Sequence, residues 1–189
     1  MQGGKKMIKS EELEVLIKEA QANNEKAFNK LIIEFKNDLF KIARMRLNCE
    51  DDIEDAVQET IIQAYKNIKK IKQPQYFKTW LIKVLINKCN KIYKKSKREK
   101  QLQYNDEIIT NSYLISENEN IKNLDFYILI KSLNYNERIS LTLYYLFEFT
   151  TKEIGKILNE SENTIRSRIS RARLKLKKIY EEESDKWII

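Results

Sequence analysis

The chain has 189 residues, 42% hydrophobic and 34% charged, which suits one domain or two small ones with real cores and excludes a disordered polymer. Three glycines, one proline, no histidine and two widely separated cysteines argue against a turn-rich β fold, a zinc finger and any histidine-based triad or metal site. The net charge of +8 is concentrated: residues 83–100 carry eight basic residues and one acid, and residues 164–178 carry seven basic residues and no acid. Two such segments on an acidic background fit two phosphate-facing surfaces, with ordinary solvated helix faces as the plainer alternative.

In chain order, Ser10 is expected to cap a first helix through Asn23, with Leu13, Leu16, Ile17 and Ala20 on one face. A second helix is expected over 25–47, apolar at Phe28, Leu31, Phe35, Leu39, Ile42 and Ala43. The acidic run Glu50-Asp51-Asp52 opens a third, where anions suit the N-terminal dipole, and it continues to about Lys66. Asn67–Gln75 is polar, lysine-rich and contains Pro74, and is expected as a loop. A fourth helix over 76–98 is apolar at Phe77, Leu81, Val84, Leu85 and Ile92 and becomes basic toward its end. Residues 99–123 have no sustained period and a net acidic balance, as expected of a flexible linker. The fold class is therefore all-α: two small helical domains, 8–98 and 124–181, joined by the linker 99–123.

The second domain carries a compact start signal. Thr150-Thr151-Lys152-Glu153 is a capping box, with Phe149 and Ile154 placed as a hydrophobic staple. That helix should end at Leu158, with Asn159 entering the left-handed region and Ser161 capping a last helix. The last helix has an apolar stripe at Ile165, Ile169, Ala172, Leu176 and Ile179. Its other face holds Arg166, Arg168, Arg171, Arg173, Lys175 and Lys177. A short helix, a tight turn and a long basic amphipathic helix make a helix-turn-helix, with Gly155 expected where the two helices cross closely. Side chains at the start of the second helix can reach major-groove edges, and the later cations can hold phosphates. A three-helix bundle with a basic surface helix is the plainer reading of the same residues.

Three stretches of this half carry a resemblance: Leu133-Asn134-Tyr135-Asn136-Glu137-Arg138, Thr151-Lys152-Glu153-Ile154-Gly155-Lys156-Ile157-Leu158, and Asn163-Thr164-Ile165-Arg166-Ser167-Arg168-Ile169-Ser170-Arg171-Ala172-Arg173. Together they resemble region 4 of extracytoplasmic-function (ECF) sigma factors of the sigma-70 family. In the other half, 52–60 (Asp52-Ile53-Glu54-Asp55-Ala56-Val57-Gln58-Glu59-Thr60) is similar to region 2.2. Phe77-Lys78-Thr79-Trp80-Leu81-Ile82-Lys83-Val84 with Asn87 is similar to regions 2.3 and 2.4. The likeness covers about residues 10–180 and is nearest the SigV-like type of low-GC Gram-positive bacteria.

The resemblance implies a division of labour. Region 2 would bind the β′ clamp helices of core RNA polymerase, melt the minus-ten element and capture its non-template strand. Region 4 would read the minus-thirty-five element as duplex and touch the β flap. Carried onto this chain, the core-polymerase contacts are Asp52, Asp55, Gln58 and Glu59. The minus-ten residues are Asn67, Lys70, Lys72, Gln73, Asn87, Lys88, Lys91, Lys94 and Lys95. The minus-thirty-five residues are Ser161, Asn163, Thr164, Arg166, Ser167, Arg168, Ser170, Arg171 and Arg173. Promoter DNA and a membrane-anchored or free anti-sigma factor are the further partners implied. No catalytic residue, metal, cofactor or small-molecule substrate is expected, and no signal peptide or membrane span is visible, so the setting expected is cytoplasmic.

Two departures stand out. Asn134 replaces the family's proline, though it can cap with Glu137 at N3. Asn159-Glu160 replaces the usual glycine and apolar turn residue, so a looser turn is expected. Three alternatives stay open at this level. The acids Asp51, Asp52, Glu54, Asp55 and Glu59 could suggest a two-metal nuclease. The helix-turn-helix alone would also suit a dimeric operator-binding repressor. Trp80 either fills the core beside Val84 or stacks on an exposed base.

Overall fold

The computed structural model describes residues 10–102, 130 and 132–184, and no strand occurs among them. The chain divides into two compact units, Met1–Asp106 and Glu107–Ile189.

In the first unit, helix α1 (Ser10–Gln21) stops short of Asn23, because Asn23 adopts a left-handed φ of 67°. The next residue, Asn24, caps α2 (Glu25–Arg44), its side chain accepting the Ala27 N–H at 3.2 Å. Helix α2 buries the expected three-to-four spaced stripe, including Phe28, Leu31, Phe35, Leu39 and Ile42. It ends three residues earlier than expected. Met45 and Arg46 turn through short bonds to Ile42 and Ala43, which tucks Met45 and Leu47 into the core.

Helix α3 (Glu50–Asn67) has no side-chain cap at Cys49, and three acids in its first turn face the helix dipole instead. The segment expected as a loop is more ordered than its composition suggests. Asn67 belongs to α3, and two 3-10 turns follow, Ile68–Lys70 and Pro74–Tyr76. Buried Ile68 anchors the first, and Pro74 opens the second at a position where its missing N–H costs nothing. Helix α4 (Phe77–Leu102) starts one residue late and runs four residues into the expected linker. The rest of the linker, 103–123, lies outside the described residues, as does the expected start of the second domain at 124.

Helices α1 to α4 close one core in which Ile17, Leu31, Leu39, Ile42, Phe77, Leu81 and Leu85 are fully buried. Only the first half of α4 enters it. Beyond Cys89, whose thiol burial pushes up to about 12, no further α4 side chain is fully enclosed among those described. The front of α4 is thus fixed by packing, and its basic remainder projects from the unit.

The second unit contains α5 (Tyr135–Tyr145), α6 (Thr151–Leu158) and α7 (Glu162–Ser184). Asn134 does cap α5. It exchanges hydrogen bonds with Glu137 in a full capping box, so the family's proline is replaced without loss of the helix start. Ile139, Leu143, Ile154, Ile157, Ile165, Ile169 and Ala172 form the core between the three helices. Among the described residues no helix is long and apolar enough to cross a membrane.

Candidate nucleic-acid interface

On α3, Asp55, Gln58 and Glu59 are all exposed and Asp52 is half-buried, so the expected clamp residues share one outward face. Exposed Ile62 continues that face one turn further. Glu59 is already engaged. Its carboxylate accepts a hydrogen bond from Lys88 of α4 at 2.7 Å, which, with Lys91 nearby, holds its pKa below the usual carboxylate range. One residue expected at the polymerase surface thus pairs with one expected at the strand surface. No group of three His, Cys, Asp or Glu among the described residues is arranged to hold a metal ion.

Between the end of α3 and the start of α4 lies a cleft of about 470 Å³, lined by Gln63, Asn67, Lys70, Ile71, Lys72, Gln73, Tyr76 and Trp80. Four expected minus-ten residues, Asn67, Lys70, Lys72 and Gln73, meet there. Asn67 is partly committed, since its Nδ2 donates to the Gln63 carbonyl at 2.9 Å. Trp80 is half-buried: it packs against Phe77 with ring centroids 6.1 Å apart, and it also lines the cleft.

The α4 residues extend from this cleft. Trp80, Asn87, Lys91, Lys94 and Arg98 recur at intervals of seven, four, three and four, so they share one side of the helix. At ~1.5 Å per residue the track from Trp80 to Lys94 is about 21 Å long. Asn87, Lys91, Lys94 and Lys95 are exposed, whereas Lys88 is half-buried beside Glu59. Gln63, Ile71 and Tyr76 were not among the residues expected from sequence. Their signals were faint but present: Gln63 lies one turn before Asn67, and Tyr76 one turn before Trp80.

In the second unit each junction is closed locally. Thr150 and Glu153 form the expected capping box. Asn159 adopts φ 59° and ψ 46°, and Ser161 Oγ accepts the Thr164 N–H at 3.1 Å. Gly155 serves the turn and not the crossing of helix bodies. A Cβ there would sit 2.8 Å from the Glu160 carbonyl oxygen.

The turn is not loose either. Glu160, in the place of the apolar residue, accepts a hydrogen bond from Arg168, and Arg168 also reaches Ser140 Oγ of α5 at 3.4 Å. Its side chain is only 12% exposed. Arg168, expected at the duplex, lies on the flank of α7 next to α5, where its guanidinium pairs with the turn carboxylate. Lys175 follows the same pattern, donating to the capping-box carboxylate of Glu137 at 2.6 Å.

The exposed side of α7 is made by Asn163, Arg166, Ser167, Ser170 and Arg171. Ser161 and Thr164 hydroxyls bond each other at 2.8 Å and serve the cap, and Ser167 Oγ donates back to the Thr164 carbonyl. Arg166 pairs with Glu162, whose carboxyl is held below its usual range by the Thr151 hydroxyl and then by Arg166 itself. Arg173 lies over the rings of Tyr144 and Tyr145, at 5.5 and 5.3 Å.

Comparison with known proteins bears on both units. Residues 31–99 match the family described as Sigma-70 region 2, and residues 125–176 match Sigma-70, region 4; together they span well over half of the chain. The RNA polymerase sigma factor SigV of Bacillus subtilis is 26% identical over 148 residues, 78% of this chain and 87% of that protein. The ECF RNA polymerase sigma-E factor of Escherichia coli K12 is 28% identical over 173 residues, 85% of this chain and 90% of that protein. The structure of the sigma factor RpoE of Bartonella quintana, solved in complex with the anti-sigma factor NepR, shares the fold. Its TM-score is 0.67 at 24% identity, covering 82% of this chain and 98% of that one. With both regions present in order and the fold shared, this chain belongs to the extracytoplasmic-function group of the sigma-70 family, the factors that give RNA polymerase its promoter recognition at transcription initiation.

Proposed function

We propose that residues 8–98 bind the β′ clamp helices through the α3 face of Asp52, Asp55, Gln58 and Glu59, and capture the minus-ten non-template strand in the cleft beside Trp80. The α4 track from Asn87 to Lys95 then holds the strand's phosphates. Residues 124–181 read the minus-thirty-five element as duplex through Asn163, Arg166, Ser167, Ser170 and Arg171, with Arg173 beside them. Arg168 is left out of that list, because its guanidinium is occupied within the fold. The factor performs no chemical step of its own, works in the cytoplasm, takes no small-molecule substrate, and is held inactive by an anti-sigma factor. That last element draws on the neighbouring Bartonella factor, which was solved with one.

The observation that carries the reading is the cleft. Its volume of about 470 Å³ falls within the ~300–1,000 Å³ of small-ligand sites. It offers an aromatic wall for a flipped base, amides for its edge and lysines for its phosphates. Base stacking on one aromatic side chain is worth about 1–3 kcal/mol. Trp80→Ala should therefore lower open-complex formation with core polymerase about tenfold or more, while binding to the upstream element is unchanged. In vitro transcription on templates with a constant upstream element reads this directly. Full activity of the variant would defeat the cleft assignment. Tight binding of the isolated chain to a palindrome, as a dimer, would favour a repressor instead.

A further inference from the structure

Gln21, the last residue of α1, lies outside every surface assigned above, and α1 lends no residue to the lining of the cleft. Its side-chain amide nevertheless reaches the cleft's loop from behind. Nε2 donates to the carbonyl oxygen of Ile68 at 3.0 Å and to that of Ile71 at 2.8 Å. A glutamine amide has two hydrogens to give, and both are used on carbonyls three residues apart. Those carbonyls bracket the 3-10 turn Ile68–Lys70, which the Ile71 N–H closes on the Ile68 carbonyl at 3.1 Å. The bracketed stretch supplies Lys70 and Ile71 to the cleft and leads straight into Lys72 and Gln73.

A single 3-10 turn has poor hydrogen-bond geometry and little stiffness of its own. Here buried Ile68 fixes one end, and the Gln21 amide fixes the curvature between the ends. A cleft that distinguishes bases must keep its polar groups within a fraction of an ångström of their productive places. We propose that Gln21 is a positioning residue for minus-ten base discrimination, acting through the backbone of residues 68–71. The inference rests on the assignment of the cleft to the minus-ten strand. It gives the first helix a part in promoter specificity without contact to DNA.

The test uses the full chain with core polymerase, on templates that differ only at single minus-ten positions. Gln21→Glu keeps the shape but sets a carboxylate against two carbonyls. Gln21→Met keeps the length, removes both donors and guards against misfolding of the first variant. Loss of the paired bonds should lower the ratio of transcription from preferred over disfavoured minus-ten sequences about tenfold. Core affinity, upstream-element binding and Tm should change little. An unchanged ratio in both variants overturns the proposal, and so does a parallel fall of Tm, core affinity and transcription on every template, which marks a merely structural role. Exchange of residues 67–75 for the loop of a related factor is run alongside. If preference follows that exchange but ignores Gln21, the cleft assignment stands and this inference alone falls. If preference ignores the exchanged loop, both fall.

Discussion

The two units present their polar groups in opposite ways. The second offers a helix in a unit whose helix starts are capped by neighbours in sequence: Asn134 with Glu137, Thr150 with Glu153, and Ser161 with Thr164. The first offers a cleft bordered by two short 3-10 turns, the first of them braced by Gln21 from 47 and 50 residues away. The contrast fits the targets proposed for them. A duplex groove is a regular surface that a rigid helix can enter. An unstacked base needs a pocket, and a pocket requires irregular backbone whose polar groups point inward. Local capping starts the helices of the second unit, with Arg168 and Lys175 adding ties to α5, whereas the cleft's first 3-10 turn is held by a contact about 50 residues away.

Three perturbations test that contrast, in descending size. The largest is Gly155→Ala. Alanine gains about 1 kcal/mol of helix propensity over glycine, but its Cβ would meet the Glu160 carbonyl at 2.8 Å, and a backbone atom yields poorly. The net effect should be a loss of up to about 3 kcal/mol in the second unit, with upstream binding reduced and minus-ten discrimination intact. Thermal unfolding and promoter scans measure both. A stabilised variant would show that the turn is pliable.

Next is Arg168→Ala, which strands the partly buried Glu160 carboxylate at a cost of about 1–2 kcal/mol. Upstream affinity should fall because the turn relaxes, while the slope of log affinity against log salt stays the same. A direct phosphate contact would instead reduce that slope by about 0.9. Titrations at several salt concentrations decide between the two.

The smallest is Glu59→Gln. The Lys88 hydrogen bond depresses the Glu59 pKa in the folded chain, so the pair stabilises above the ordinary carboxylate range. That contribution is lost as pH falls through the lowered folded value. The carboxylate is 56% exposed and well screened, so the change at neutral pH should stay within about 1 kcal/mol. The difference from the parent should vanish under acid conditions. Denaturant unfolding at both pH values checks it, and a gap that persists in acid would assign the effect to packing.

Sequence alone determined much of this protein. Helix periods, the capping boxes at Thr150 and Asn134, the left-handed Asn159 and the Ser161 cap are all local, and each is a matter of residues three or four apart. The two basic segments and the order of the two regions were equally legible, and they sufficed for the family. Other features were settled by tertiary structure. Arg168 reads as one more cation on a basic helix until Glu160 and Ser140 are seen beside it. Glu59 and Lys88, 29 residues apart, belong to one ion pair. The segment 67–75 reads as a polar loop until Gln21 and buried Ile68 show what gives it shape. The physical reason is common to all three. Capping and amphipathicity are fixed by the geometry of a single helix, whereas the partner of a long polar side chain depends on which helices pack together.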